Sequence, residues 1–220
     1  SLLVLRQMER AGPEPGVVAY SAAASACERG HNWQLALGLL GEVRGRRLQP
    51  DTVAYNTCIS ACEKGWRPSE ALGLLGEMSR RGPLPDTIAY NATASACEKA
   101  HLWPQAMWLL RQMRRRRVQA DGISYNAVMG ACGKGEQWAR VLQLLSEARR
   151  RGLGPGGVGY STALLACADA GDVPRAFRLL SEMRSEGLRP DALSHGRLLL
   201  EAEQRGERGH EGSLLLALGL

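Results

Sequence analysis

Asparagine or serine recurs at a fixed interval of 35 residues, as Ser21, Asn56, Asn91, Asn126 and Ser161. An amide carries a donor and an acceptor side by side, and a hydroxyl carries both on one atom, so such a column can read the edges of heterocycles. Three residues before each stands an aliphatic side chain: Val18, Val53, Ile88, Ile123 and Val158. Eight residues after come Arg29, Lys64, Lys99 and Lys134, with Asp169 in the fifth place. On a helix turning ~100° per residue, Val53, Asn56, Ser60 and Lys64 fall within ~80° of one another. Parallel columns of aliphatic, polar and cationic groups suit a strand whose bases slot between aliphatic side chains. The base edges would then meet the amide or hydroxyl, and the phosphates the cations. A competing reading makes each Asn or Ser a helix cap or local turn former. The shared register with two other columns argues for the stripe.

The elements that carry these columns follow from the same period. Tyr20, Tyr55, Tyr90, Tyr125 and Tyr160 repeat every 35 residues, as do Cys27, Cys62, Cys97, Cys132 and Cys167. Each of those cysteines follows an alanine, and leucine pairs from Leu39-Leu40 to Leu179-Leu180 keep the same beat. Interleaved series with one period define a repeat protein. Units are assigned to residues 17–51, 52–86, 87–121, 122–156 and 157–191, after a partial repeat over 1–16 that holds a second helix, and before a degenerate, truncated repeat over 192–220. In the second unit a helix is predicted from Val53 to Lys64, stopped by Gly65 in the conformation a helix C-terminus often requires. Pro68 is tolerated in the first turn of a second helix reaching Arg81. Ala71, Leu74, Leu75 and Met78 form its apolar stripe, and Gly82, Pro83 and Pro85 end it. Tyr55, Ile59 and Cys62 cluster on the side of the first helix roughly opposite Asn56. Neither helix can bury its apolar face alone, so stacked neighbours must supply a continuous, all-α core.

Composition agrees. The chain is 45% hydrophobic and 23% charged, with one Phe and a net charge of +6, which suits an anionic partner only weakly. No apolar run approaches the ~20 residues of a membrane-spanning helix. The first residues read as mid-helix without an initiating Met, so the chain looks cut from something longer, and the lack of a targeting segment says nothing about location.

The run from Pro50 through Asp51, Thr52, Val53, Ala54, Tyr55, Asn56 and Thr57, continued by Glu63-Lys64-Gly65 and Glu77-Met78, resembles the pentatricopeptide repeat family in its P-type, 35-residue form. The resemblance extends over roughly residues 1–200. It implies a right-handed α-solenoid superhelix of helix-turn-helix repeats that binds single-stranded RNA, one base per repeat. It also implies that the Asn or Ser and the last residue of each unit select the base together. The pairs are Ser21 with Asp51, Asn56 with Asp86, Asn91 with Asp121, Asn126 with Gly156, and Ser161 with Asp191. With Ser/Asp implying G and Asn/Asp implying U, and with protein N to C running along RNA 5′ to 3′, the expected core site is 5′-G-U-U-Y-G-3′. Val18, Val53, Ile88, Ile123 and Val158 would sandwich bases, and Arg29, Lys64, Lys99 and Lys134 would meet phosphates. Gly156 has no side chain, so the fourth position is expected to be loose. Asp169 should weaken phosphate contact in the fifth unit, and His195-Gly196 in the sixth should read nothing. The family resemblance further implies roles in RNA stability, processing, splicing or editing in a plastid or mitochondrion.

Other residues admit blander readings. Cys58 and Cys62 stand at a spacing metal ligands sometimes use, but no second ligand pair lies near, and small buried residues of a helical repeat account for them. Arg114 to Arg117 and Arg149 to Arg151 sit at second-helix ends, either as solvated cations favoured there or as long-range attraction for RNA. Trp33, Trp103 and Trp138 read as packing at the inter-helix turn rather than base stacking, and His31 and His101 as turn residues. No nucleophile–base arrangement, phosphate loop or zinc-deaminase signature is present, so no catalysis, cofactor, metal or small-molecule substrate is expected of this chain. The rival reading is a protein-binding scaffold of the tetratricopeptide kind, which lacks any need for the Asn/Ser column and its terminal Asp. Truncation through repeats at both ends is expected to favour self-association.

Overall fold

In a computed structural model of the chain, residues 15–204 are described, and every regular element among them is an α-helix. The chain divides into two compact units between Gln119 and Ala120. The first holds α1 (Val17–Arg29), α2 (Trp33–Gly45), α3 (Thr52–Lys64), α4 (Pro68–Arg81), α5 (Thr87–Lys99) and α6 (Trp103–Arg115). In it, α1, α3 and α5 pack successively on one another, and each also packs on the second helix of its own pair. The second unit holds α7 (Gly122–Lys134), α8 (Trp138–Arg150), α9 (Gly156–Ala170), α10 (Val173–Ser185) and α11 (Ala192–Gln204). There α9 is central, touching α7, α8, α10 and α11. Most of the partial repeat expected over 1–16 and the end of the degenerate repeat over 192–220 fall outside the described residues.

The aspartates expected to close each unit start the helices of the next. Asp51 accepts the Ala54 N–H at 2.8 Å, Asp86 the Ala89 N–H at 2.9 Å, and Asp121 the Ser124 N–H at 2.8 Å. A carboxylate there satisfies an orphan donor and favours the positive end of the helix dipole. Asn56 and Asn126 lie a turn further in, so the Asn/Ser column does not cap these helices.

The helix ends depart from expectation in one respect. Gly65 has an ordinary φ of −84°, and the left-handed residue is the next one, Trp66, at φ 58°. His31, His101, Glu136 and Gly171 repeat that conformation in the other units, with φ between 54° and 68°. At each such turn a backbone N–H reaches back to the carbonyl of the periodic cysteine: Asn32 to Cys27, Arg67 to Cys62, Leu102 to Cys97, Gln137 to Cys132 and Asp172 to Cys167, all at 2.9 Å. This is a Schellman closure, whose left-handed position is one residue beyond the cap. Glycine is needed at 65 for space instead: a Cβ there would lie 2.3 Å from Trp33 Cδ1. The ring of Trp33 is in turn covered by the Arg67 guanidinium, 4.6 Å from its centroid, so this tryptophan packs at the turn.

The packing stripes are as the spacing requires. Ala71, Leu74, Leu75 and Met78 are buried, as are Tyr55, Ile59 and Cys62. Buried tyrosines keep a polar partner: Tyr55 Oη donates to Glu77 Oε1 at 3.2 Å and Tyr125 Oη to Glu147 Oε1 at 3.0 Å. Glutamate on the second helix thus ties each of these repeats to its own first helix.

Candidate nucleic-acid interface

The opposite side of the first helices carries the three columns. Its aliphatic members stand out into solvent, from 58% exposed at Val53 to 79% at Val18, with Ile88, Ile123 and Val158 between. Apolar side chains this exposed, at one position of every repeat, are not a packing residue's environment. Leu193, at the same register position of α11, is 71% exposed and extends the series. The period alone would have pointed to it.

One turn along each helix stands the polar column. Asn56, Asn91 and Asn126 are half-buried, while Ser21 and Ser161 are buried. Asn56 Nδ2 donates to both carboxylate oxygens of Asp86, at 3.2 and 3.0 Å, so Asp86 caps α5 and holds the Asn56 amide at once. Asn126 Nδ2 donates to the Pro155 carbonyl at 3.1 Å, because its periodic partner Gly156 offers no side chain. Asp191 accepts the Ser194 N–H at 2.7 Å at the start of α11. That bond, with others from the Ser194 and Ser161 hydroxyls, holds the Asp191 carboxyl below the usual aspartate range. Three buried atoms of the column have no hydrogen-bond partner: Ser21 Oγ, Asn56 Oδ1 and Asn126 Oδ1. An unmet buried polar atom costs roughly 1–3 kcal/mol, and here it recurs at one position of the repeat.

The cation column is engaged. Lys64 Nζ lies 3.0 Å from Glu28 Oε1 and Lys99 Nζ 2.6 Å from Glu63 Oε1, each lysine reaching the preceding repeat. Ser95 Oγ also donates to Glu63 Oε1, at 3.0 Å. Arg29 and Lys134 are exposed, and Asp169, in the cation's place, pairs with Arg197 at 3.0 Å. Phosphates approaching Lys64 or Lys99 must therefore compete with a carboxylate. The glutamates were missed in the sequence although Glu28, Glu63 and Glu98 keep the period; their role shows only when one unit's Glu is set beside the next unit's Lys.

The cysteines are accounted for by packing. Cys27, Cys58, Cys62, Cys97, Cys132 and Cys167 are buried free thiols. Burial pushes Cys58 up to about 12 and Cys62, Cys97, Cys132 and Cys167 to about 11, so none is an activated nucleophile. Among the described residues no group of three His, Cys, Asp or Glu could hold a metal ion, and no helix is long and apolar enough to cross a membrane. Arg114 to Arg117 are exposed at the end of α6, and Arg149 pairs with Glu182 and Glu186.

Stacked helix pairs with an aliphatic–polar–cationic stripe along their first helices define a helical-repeat binding protein. Family models agree on which kind. The pentatricopeptide repeat domain matches residues 3–64 and 143–200, the PPR repeat family 50–99, and the PPR repeat 88–118 and 123–153. The chain belongs to the pentatricopeptide repeat family. Among solved structures it is similar to the pentatricopeptide repeat protein PPR10 from maize, at 25% identity and a TM-score of 0.71, over 99% of this chain and 31% of that one. PPR10 in complex with an 18-nucleotide psaJ RNA element matches at 28% identity and a TM-score of 0.74, over 92% of this chain and 30% of that one. The PPR domain of Arabidopsis thaliana protein-only RNase P 1, in complex with tRNA, shares the fold at 14% identity and a TM-score of 0.73, over 83% of this chain and 96% of that domain. The chain spans about a third of the length of PPR10. No curated protein matches its sequence.

Proposed function

We propose that this chain binds single-stranded RNA sequence-selectively along the first-helix stripe, one base per repeat, without catalysing a reaction. The observation that carries this reading is the column of solvent-exposed aliphatic side chains, Val18, Val53, Ile88, Ile123 and Val158, with an Asn or Ser one turn away in every repeat. The aliphatic column supplies faces for the bases to slot between, and the half-buried Asn amides beside it are placed to meet base edges. PPR10, a relative of the same fold, is held with an RNA element, which supports the reading. Ser/Asp and Asn/Asp pairs give 5′-G-U-U-Y-G-3′ as the core site, and the family resemblance makes organellar transcripts, and their processing, stability, splicing or editing, the expected setting.

Affinity is modest, because aromatic platforms contribute ~1–3 kcal/mol per base and aliphatic side chains contribute less. Salt dependence is shallow, below the slope of about −0.7 per phosphate that unpaired cations would each add, since Lys64 and Lys99 already have carboxylate partners. The test is selection of the chain against a random single-stranded RNA pool at two salt concentrations. Enrichment of G-U-U-Y-G, weaker at higher salt and absent from a matching DNA pool, is the expected outcome. A folded, monomeric sample that enriches nothing would sink the reading in favour of a peptide-binding scaffold, and self-association would appear as a second species in the same sample.

A further inference from the structure

Two tryptophans that occupy the same place in their repeats are seated differently. Trp33 is half-buried and fills the room above Gly65, where a Cβ would lie 2.3 Å from its Cδ1. Its ring face is covered by the Arg67 guanidinium at 4.6 Å, and Arg67 Nε donates to Glu70 Oε1 at 2.9 Å. Trp138 has neither support. In the period, Ala170 stands to Trp138 as Gly65 stands to Trp33, and Asp172 as Arg67 does. The ring is 42% exposed, and among the described residues no cation lies over it.

The bared ring lines a cleft of about 560 Å³ together with Glu136, Asp169, Ala170 and Arg197. Asp169 is paired with Arg197 at 3.0 Å. Glu136 is exposed at the tip of the turn and has no ion pair among the described residues. The cleft thus joins an aromatic face to an excess carboxylate, on a chain whose net charge is +6. Asp172 cannot replace Arg67 as a cover. It caps α10 through the Arg175 N–H at 3.1 Å and pairs with Arg175 Nη1 at 3.6 Å.

We propose that Trp138 takes an arginine side chain from a protein partner, whose guanidinium fills the place that Arg67 fills over Trp33. The indole face attracts the planar cation through its quadrupole, and Glu136 accepts its N–H groups as Glu70 accepts those of Arg67. Lysine fits less well, because a compact ammonium neither stacks on the ring nor donates in a planar fork. A nucleobase also stacks on an indole, but the carboxylates of Glu136 and Asp169 repel the phosphate that comes with it. The site lies apart from the base-reading residues and does not depend on the RNA-binding reading.

The test follows the indole N–H resonances of the full, isotope-labelled chain during titration with three probes. These are a capped Gly-Arg-Gly-Arg-Gly peptide, its lysine counterpart and the RNA 5′-GUUUG-3′. The arginine peptide should move the Trp138 signal ahead of those of Trp66 and Trp108, although these rings are more exposed, at 63% and 50%. It should bind about threefold more tightly than the lysine peptide, and Glu136→Gln should weaken it by about as much. Asp172→Arg combined with Arg175→Glu recreates the order of Arg67 and Glu70, so the ring is covered from within and the response is lost. α4 forms after Arg67 without a side-chain cap, so α10 should still form in that variant. Equal movement of all the exposed indoles, or a Trp138 response that survives the double substitution, overturns the proposal. A Trp138 signal that moves with the RNA and not with the arginine peptide overturns it too, and makes the ring a base platform.

Discussion

The two faces of the first helices are built from similar atoms to opposite ends. On the packing face, buried polar groups are matched: Tyr55 and Tyr125 donate to glutamates of the second helices, the Cys58 thiol donates to the Ala36 carbonyl at 3.3 Å, and Thr93 Oγ1 donates to the Ala89 carbonyl at 2.7 Å. On the stripe face, a turn away, Ser21 Oγ, Asn56 Oδ1 and Asn126 Oδ1 are buried and unmatched. Burial alone therefore does not distinguish the two faces; hydrogen-bond satisfaction does. The packing face is chemically finished, and the stripe face is held incomplete by the same helices at a cost in stability.

The largest effect comes from forcing charge onto the finished face. Burial raises the thiols of Cys62, Cys97, Cys132 and Cys167 to about 11 and Cys58 to about 12, while an unfolded thiol titrates near 8.5. Their folded values are raised, so their contribution is fully present below about pH 8.5 and is lost as pH climbs towards the folded values. Each thiol contributes a limiting slope of about 1.4 kcal/mol per pH unit. Tyr55, Tyr90 and Tyr160, whose phenols burial also raises, add to the fall above about pH 10. Urea unfolding followed from pH 8 to about pH 10.5 should show stability dropping with increasing steepness. A flat profile would mean that this face is not closed to solvent.

A smaller and sharper contrast uses one substitution on both kinds of site. Ser124 completes a capping box with Asp121: its hydroxyl accepts the Asp121 N–H at 3.2 Å, and Asp121 accepts the Ser124 N–H. Ser124→Ala should cost about 1 kcal/mol. Ser21→Ala removes a buried hydroxyl that has no partner and should instead stabilise the free chain by about 1 kcal/mol. It should also weaken the preference for G at the first base. If both variants lower the unfolding midpoint, the stripe's unmatched atoms are not a stored cost and the comparison fails.

How much of this was legible beforehand depends on whether a partner lies in the same repeat. The period, the buried series Ala71–Leu74–Leu75–Met78 and the outward position of Val53 all follow from helical spacing within one unit. The left-handed turn falls at Trp66 and not at Gly65: a glycine after a helix reads as conformational, whereas here it clears space for Trp33 in another repeat. The pairing of Lys64 with Glu28 is not legible within one unit, because Glu28 lies in the preceding one. Asp86 was legible as a partner of Asn56 through the family resemblance, but its second duty as a cap required the helix start to be seen. Pro155 was invisible for a different reason: a backbone carbonyl has no letter in the sequence, and a column of side chains reads only as a gap at Gly156.

The smallest effect on stability should be the most informative about the stripe's charge. The Lys64–Glu28 and Lys99–Glu63 pairs are about one-third to one-fifth exposed, and ion pairs in such settings contribute about 0–1 kcal/mol. Glu28→Gln with Glu63→Gln should therefore leave unfolding almost unchanged. Freed of their carboxylates, the lysines can each take a phosphate, so the log–log dependence of RNA affinity on salt should steepen by about 0.7 per lysine. Glu42→Gln is the control: Glu42 is exposed on α2, away from the stripe, and its loss changes net charge without releasing a stripe cation. Binding measured across a salt series should steepen for the Glu28 and Glu63 variants and not for the Glu42 variant. Equal slopes in all three would show that these lysines do not meet the RNA backbone, and would assign the cation column to holding one repeat against the next.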